Sequence, residues 1–439
     1  MSLRLATDIG LMLERRILGG DLKPGARLPS VRDLAAELGA APGTVAAAYR
    51  QLSETGLIIA GRGRQGTRVA PRPGSGLISV PRSSLPEGLV DARHGSPDPS
   101  LLPDVAGALG RAVGRTTNAY GSAVVLDELA AAAALQFRSD GIDADHLTVT
   151  NGSMDAIERV LRSHSLRVGD RVAVEDPGHI PVHQIVRSAG LIPVPLKLDD
   201  EGVLPASLNR ALSLRLAAVI LTPRAQNPTG AALTNERAAA LTDVLDGHPE
   251  VLLIQDDHAG AVAGVEFVAV TSPSPNWVTI RSVGKSLSPD LRVSTMVGNR
   301  DTIDRVSSNF ANGPGWVSYV LQAAVADLLG DPKAQRQVSK AAVAYTHRRT
   351  RLIDALGAGG VPARGRSGFN VWISVANEQV VVDAARDGGF AILGGDQWRI
   401  GSESAVRVTA NRLTDDEIDR LAECLVRAVR PTLHRAASA

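Results

Sequence analysis

The chain has 439 residues, more than the roughly 250–300 at which one hydrophobic core stops growing, so it should divide into more than one domain. With 44% hydrophobic residues, 21% charged residues and a formal net charge of +1, its composition excludes an intrinsically disordered chain. A single cysteine, Cys424, excludes an internal disulfide and reads as a helix-packing residue, and no Cys/His cluster has metal-ligand spacing. No apolar run reaches the ~18–20 residues that span a bilayer, and Arg4, Asp8 and Glu14 interrupt any signal-peptide pattern, so a cytoplasmic protein is expected.

The near-zero charge hides an asymmetry. Residues 1–70 carry ten Lys/Arg against six Asp/Glu, whereas the rest carries 37 against 40. A basic head on an acidic body predicts a small module that meets a polyanion, joined to a large one that does not.

The head reads as three short helices and two strands. Ile9, Leu13, Ile17 and Leu18 recur at helical spacing before Gly19-Gly20. Ser30 caps a second helix, with Asp33 three residues on and Gly39 as its stop. Pro42-Gly43-Thr44 opens a third, which carries Val45, Tyr49 and Leu52 and ends at Gly56. Leu57-Ile58-Ile59 and Thr67-Arg68-Val69 then flank the basic tip Gly61-Arg62-Gly63-Arg64-Gln65-Gly66, giving a helix-turn-helix with a β-wing over residues 1–70. A helix N-terminus in a DNA major groove offers free N–H groups to phosphate while side chains reach base edges, which makes Arg32, Thr44 and Arg50 candidates there and Arg62 and Arg64 candidates on the wing. The bland alternative is a regulatory cap with a solvated basic loop.

These residues carry a resemblance. The stretch Gly20–Gly56 meets G-x-L-x-x-G-x-x-L-P-S-x-R-x-L-A-x-x-L-G-x-x-x-x-T-V-x-x-A-Y-x-x-L-x-x-x-G, and so resembles the winged helix-turn-helix of the GntR family. Pro42-Gly43 stand where that family commonly has an arginine, so sequence readout is expected to be weaker there or shifted to the wing.

A linker rich in Pro, Gly and Ser follows, about 71–90. From 91 to 439, apolar runs such as Leu147–Thr150, Val172–Val174, Ala218–Leu221 and Leu252–Ile254 alternate with helical patterns, which predicts an α/β domain with a mainly parallel sheet. Four elements at predicted strand ends point to pyridoxal 5′-phosphate (PLP). Lys285, in Ser282-Val283-Gly284-Lys285, can form a Schiff base with an aldehyde, with Ser282 and Arg292 toward its phosphate. Asp256 would pair with a protonated pyridine nitrogen, Asn227 in Asn227-Pro228-Thr229-Gly230 with the phenolic oxygen, and the turn at Gly152-Ser153 would cradle phosphate. Each alone also reads as an ordinary strand-end residue; open α/β sheets bind ligands at those ends, and the conjunction carries the inference. A Walker-type loop is excluded because Thr279 stands where it needs glycine.

In order and spacing these elements resemble the fold-type-I, class I/II aminotransferases, and with the GntR-like head the chain resembles the MocR/GabR subfamily of transcriptional regulators. Gly95-Ser96-Pro97-Asp98 through Pro103 matches the opening of that subfamily's large domain. The resemblance implies a PLP-transferase fold with a smaller C-terminal α+β subdomain from about 335, a homodimer, and Arg407 as carboxylate-binding arginine for an effector, against the reading of Arg407 as a surface strand residue. It places His179 where a tyrosine usually stacks on the cofactor, and His258 where a tyrosine usually meets the phenolic oxygen, which predicts a site titrating near neutrality. Pro181 replaces an arginine of some relatives, and Tyr120 matches the residue that reaches the neighbouring subunit's phosphate. The implied function is a PLP-dependent regulator that binds operator DNA and senses an amino-acid-like effector or PLP itself. The rival readings are an active aminotransferase with an accessory winged helix, and a DNA-binding protein whose PLP site has lapsed.

Overall fold

The structure, a computed structural model, describes residues 6–23, 25–54, 57–60, 66–70, 85, 88–116, 120–164, 166–271 and 276–436. Its head comprises α1 (Ala6–Leu18), α2 (Val31–Leu38), α3 (Pro42–Glu54), β1 (Ile58–Ala60) and β2 (Thr67–Val69), the two strands pairing antiparallel. Local signals set these bounds: Ser30 Oγ accepts from the Asp33 amide, Gly39 ends α2 in the left-handed region, and Ile9, Leu13, Leu34, Val45 and Leu52 close one small core. Tyr49 is buried beneath α3 and donates to the Pro29 carbonyl at 2.8 Å, tying α3 to the turn before α2.

The large domain is built on an eight-stranded sheet. Its elements are β3 (Val90–Asp91), α4 (Val105–Val113), α5 (Asp127–Ser139), β4 (Leu147–Thr150), α6 (Ser153–Ser163), β5 (Arg171–Asp176), α7 (Ile180–Ser188), β6 (Ile192–Asp199), β7 (Gly202–Val203), α8 (Pro205–Leu212), β8 (Leu216–Leu221) and α9 (Asn235–Leu245). There follow β9 (Leu252–Asp257), β10 (Trp277–Ser282), β11 (Ser294–Gly298), α10 (Arg300–Ala311), α11 (Tyr319–Gly330) and α12 (Pro332–Ala358). The order is β4-β11-β10-β9-β8-β5-β6-β7, parallel from β10 through β6, with β11 antiparallel to both of its neighbours. Helices α6, α7 and α10 pack on one face through Ile157, Val186 and Val306, and α8 and α9 cover the other through Leu208 and Leu241.

The C-terminal part adds β12 (Asn370–Ser374), α13 (Glu378–Asp387), β13 (Phe390–Ala391), β14 (Leu393–Gly394), β15 (Ala405–Thr409) and α14 (Asp415–Ala436). Strands β12, β15 and β14 form one small sheet, and β13 pairs with β3. Cys424 is buried on α14, its Sγ donating to the Ala384 carbonyl. Between head and body, Glu14 of α1 meets Arg171 at the start of β5 (3.3 Å). Among the described residues no helix is long and apolar enough to cross a membrane.

Candidate functional site

Because β4, β5, β8, β9 and β10 run in one direction, the turns after them gather at one edge of the sheet, where they present their side chains to a common space. A cavity of about 220 Å³ opens there, lined by His179, Asn227, His258, Lys285 and Arg407 together with His94, Gly95, Phe369 and Trp398. A larger depression, about 620 Å³, lies beside α13 and contains none of the predicted residues.

Lys285 follows β10 and points its Nζ at the Gly95 carbonyl, with the Phe369 ring 5.8 Å away. Burial, reinforced by the Arg407 charge, pulls its ammonium down to about 8, so near neutrality a sizeable fraction is the free, nucleophilic amine. Asp256, the penultimate residue of β9, is only 3% exposed, and its Oδ1 has no hydrogen-bond partner. Burial and the neighbouring Asp257 charge push it up to about 8, against a hydrogen bond from Ser153. Such an orphaned buried carboxyl oxygen is costly unless a donor reaches it.

Gly152 adopts φ +95°, a backbone conformation that favours glycine, and Arg292 Nη2 lies against it. Arg292, itself left-handed, donates to the Asn151 carbonyl at 2.9 Å and is exposed. Ser282 Oγ accepts from the Gly284 amide at 3.2 Å. The turn at the start of α6 and the loop after β10 therefore lie side by side, joined by Arg292.

On the far side, Arg407 of β15 is 6% exposed, which removes the reading of it as a surface residue. It donates to Asn227 Oδ1 at 2.9 Å and to the Arg93 carbonyl and lies over the Trp398 ring at 4.3 Å; burial draws its guanidinium down to about 9. Asn227 Nδ2 meets His179 Nδ1 at 2.9 Å; with the amide donating, the imidazole proton sits on Nε2. The His179 and His258 rings run nearly parallel, 16° apart with centroids 6.5 Å apart. Burial, followed by the Lys285 charge, depresses His258 to about 4, and burial takes His179 well below its usual value. The expected titration of His258 near neutrality is thus corrected: desolvation keeps that imidazole uncharged over the physiological range.

Sequence reasoning missed a buried ion cluster next to the site. Asp257 accepts from Arg224 at 2.8 Å through both oxygens and from Arg281 at 2.7 Å, and Arg281 also reaches Asp140 at 2.6 Å. Burial raises the Asp257 carboxyl, but the two guanidinium groups outweigh it and hold it well below the ordinary range. Glu175 is likewise buried, accepting from Thr222 and from Gln226 at 2.9 Å, and it fastens the β5 and β8 turns to one another. The adjacent acids Asp256-Asp257 after an apolar run were the available signal for the first cluster.

Gly152, Ser153, Asp256, Ser282 and Arg292 do not line this cavity, and neither do the remaining predicted residues. Tyr120 is 92% exposed, 5.4 Å edge-on from Trp316. In the head, Arg32 and Arg50 stand exposed on α2 and α3, and Thr44 is half-buried in the first turn of α3. Arg62 and Arg64 lie outside the described residues.

Residues 5–69 match the family model of bacterial regulatory proteins of the gntR family, and 91–425 that of aminotransferase class I and II. The chain is 36% identical to the vitamin B6 salvage pathway transcriptional repressor PtsJ of Salmonella typhimurium, covering 95% of this chain and 97% of that protein. It is 26% identical to the pyridoxine biosynthesis transcriptional regulator PdxR of Corynebacterium glutamicum, over 80% of this chain and 79% of that one. Among solved structures, an aspartate aminotransferase mutant of Thermus thermophilus superposes with a TM-score of 0.69 at 23% identity, covering 77% of this chain and 96% of that one, which shows the fold. The chain therefore belongs to the GntR family of DNA-binding transcriptional regulators, in its MocR-like branch, with a PLP-binding large domain of the aminotransferase class I and II fold.

Proposed function

We propose that the chain is a homodimeric, cytoplasmic regulator in which PLP is both the bound cofactor and the signal. The observation that carries this reading is the state of Arg407: both of its terminal nitrogens are engaged by the chain's own Asn227 and Arg93 carbonyl and Nε alone lacks a partner, so an amino-acid carboxylate would have to displace contacts the chain already makes. The cavity, about 220 Å³, is also smaller than the ~300–1,000 Å³ usual for ligand pockets, which favours one planar ring over a cofactor with a second substrate. The relatives named for vitamin B6 salvage and pyridoxine biosynthesis support the same choice.

The residues present fit the cofactor. The unpartnered Asp256 oxygen awaits an N–H donor, and Gly152, Ser153, Ser282 and Arg292 would hold the phosphate. When bound, PLP supplies an aldehyde for the Lys285 amine and a visible absorption band. Lys285 would anchor it; Asp256 would accept a hydrogen bond from the protonated ring nitrogen; His179 would lie against the ring; His258 and Asn227 would meet the phenolic oxygen; and Tyr120 would serve the partner subunit. Residues 1–70 form the DNA-binding domain, 71–90 the linker, and 91–439 the sensor with its small subdomain from about 335. In the head, α3 enters the major groove with Thr44 and Arg50, while Arg32, Arg62 and Arg64 hold phosphates.

The test combines spectroscopy with DNA binding. Purified protein mixed with PLP should gain a visible band that Lys285→Ala abolishes, and PLP alone should shift affinity for operator DNA. A band-free wild type defeats the cofactor roles. A shift that requires an added amino acid, or steady turnover of an amino donor with a 2-oxo acid, defeats PLP as the signal.

A further inference from the structure

Three side chains from separate parts of the large domain converge on one short piece of backbone. Lys285 donates to the Gly95 carbonyl, Arg407 to the Arg93 carbonyl and Asn411 to the Ser96 carbonyl. The segment is moored on either side of these contacts. Before it, Val90 and Ala92 donate to Gly389 and Ala391 where β3 meets β13. After it, the Asp98 amide donates to the Tyr345 hydroxyl at 3.0 Å and the Asp98 carboxylate pairs with Arg348 at 2.9 Å. Upstream, the chain leads back through residues 70–89 to β2 of the winged helix.

We propose that residues 93–96 are a strap across the cofactor pocket, held down by Lys285 and Arg407 while Lys285 is free and released when Lys285 is taken by an aldehyde, so that pocket occupancy is passed to the linker and the DNA-binding head. The proposal rests on the reading of Lys285 as the cofactor's anchor. The Gly95 carbonyl is half-buried, and a backbone acceptor in that position needs a donor. The Lys285 amine cannot serve two partners: on condensing with an aldehyde, its two hydrogens leave with the aldehyde oxygen as water, and the nitrogen becomes doubly bonded to carbon. The nitrogen that remains has no N–H when neutral, and when protonated its single N–H would be held by the cofactor's phenolic oxygen, so none is left for Gly95. The strap then loses a tether at its middle while its outer moorings stay in place, and the segment bows toward solvent on the side that leads to the linker. No side chain of the strap takes part in these three contacts, which go to its backbone carbonyls.

The experiment measures three things on the full-length protein: the visible band, hydrogen exchange of peptides spanning 92–98, and affinity for DNA from upstream of the chain's own reading frame. With PLP, the band should appear, exchange at 92–98 should rise about tenfold while the β8 and β9 strands stay unchanged, and DNA affinity should shift by about fivefold or more. Pyridoxine 5′-phosphate, which has no aldehyde, should leave exchange at 92–98 as in the free protein. Asn411→Ala, which cuts the third tether without touching Lys285, should give the free protein the exchange and DNA affinity of the PLP-loaded wild type. Absence of the band overturns the anchor reading. A band without faster exchange at 92–98, or equal release by pyridoxine 5′-phosphate, overturns the strap, and both arms use wild-type protein. Asn411→Ala protein that binds DNA like unloaded wild type overturns transmission to the head.

Discussion

In the winged helix, Arg32 and Arg50 stand in water on α2 and α3, whereas in the large domain Arg224, Arg281, Arg349 and Arg407 are all buried. The first kind is free to move and to seek an outside polyanion, which is what a phosphate-gripping surface requires. The second kind is wired to fixed acceptors: Arg224 and Arg281 to Asp257, Arg349 to the Gly368 carbonyl, Arg407 to Asn227 and Arg93. The charge of these head residues is left open to a partner, and the charge of these body residues holds the protein's own geometry. The same residue type therefore has opposite mutational consequences at the two ends of the chain.

The strongest challenge to that contrast is Asp257→Asn. It leaves Arg224 and Arg281 buried beside a neutral amide, and breaking a buried ion pair from one side costs about 3–5 kcal/mol, which urea unfolding should record. A loss below about 1 kcal/mol would place these arginines with the expendable surface pairs.

In the head the expectation reverses. Arg62→Ala/Arg64→Ala should change stability by no more than about 0.5 kcal/mol, yet lower the slope of log affinity against log salt by nearly 2 for each head of the homodimer, since each phosphate contact contributes about 0.9. Wild-type DNA binding at every salt concentration would remove both arginines from the interface.

Asp256 sharpens the comparison through pH. Its carboxyl is raised in the folded protein to about 8, so the stability its protonated form supplies is complete below the unfolded value near 4 and is lost as pH rises through about 8. Cofactor-free protein should therefore melt at progressively lower temperature from about pH 5 to pH 8.5, with Glu175, raised by burial to about 7, adding in the same direction. Asp256→Asn should flatten that profile in part, as read by differential scanning calorimetry.

The smallest effect expected is a null one. His258 is already neutral above about pH 5, since burial holds it near 4, and His258→Phe should leave the pH dependence of the visible band between about pH 6 and 8 unchanged. A transition that disappears in this variant would show an imidazole less desolvated than the geometry implies.

His258 also marks where sequence reasoning stopped. Its place beyond an apolar run was legible, because a buried strand and its end are local patterns; its charge state was not, because desolvation depends on what Lys285 and the rest of the pocket bring to it. The head was legible almost throughout, since Ser30, Gly39 and the Val45–Tyr49–Leu52 spacing act over a few residues. In the body, the mainly parallel sheet followed from alternating apolar runs, but antiparallel β11 did not, because its partners β4 and β10 include one nearly 150 residues away. The tethers from Lys285, Arg407 and Asn411 to residues 93–96 span 190 to 315 positions and leave no trace in spacing. Arg224 stands only three residues before Asn227, yet nothing in sequence separates an arginine that forks onto Asp257 from one that faces water.

Cys424 has a practical consequence. The chain's one thiol is packed under α13, where burial raises its pKa, and a raised, sheltered thiol reacts slowly. A cysteine placed at exposed Glu37 on α2 would then be the group that a maleimide spin label finds first, with no background removal needed. In a two-fold assembly such labels come in pairs, one per head, and a pulsed dipolar measurement would read the head-to-head separation directly, with the pocket filled or empty.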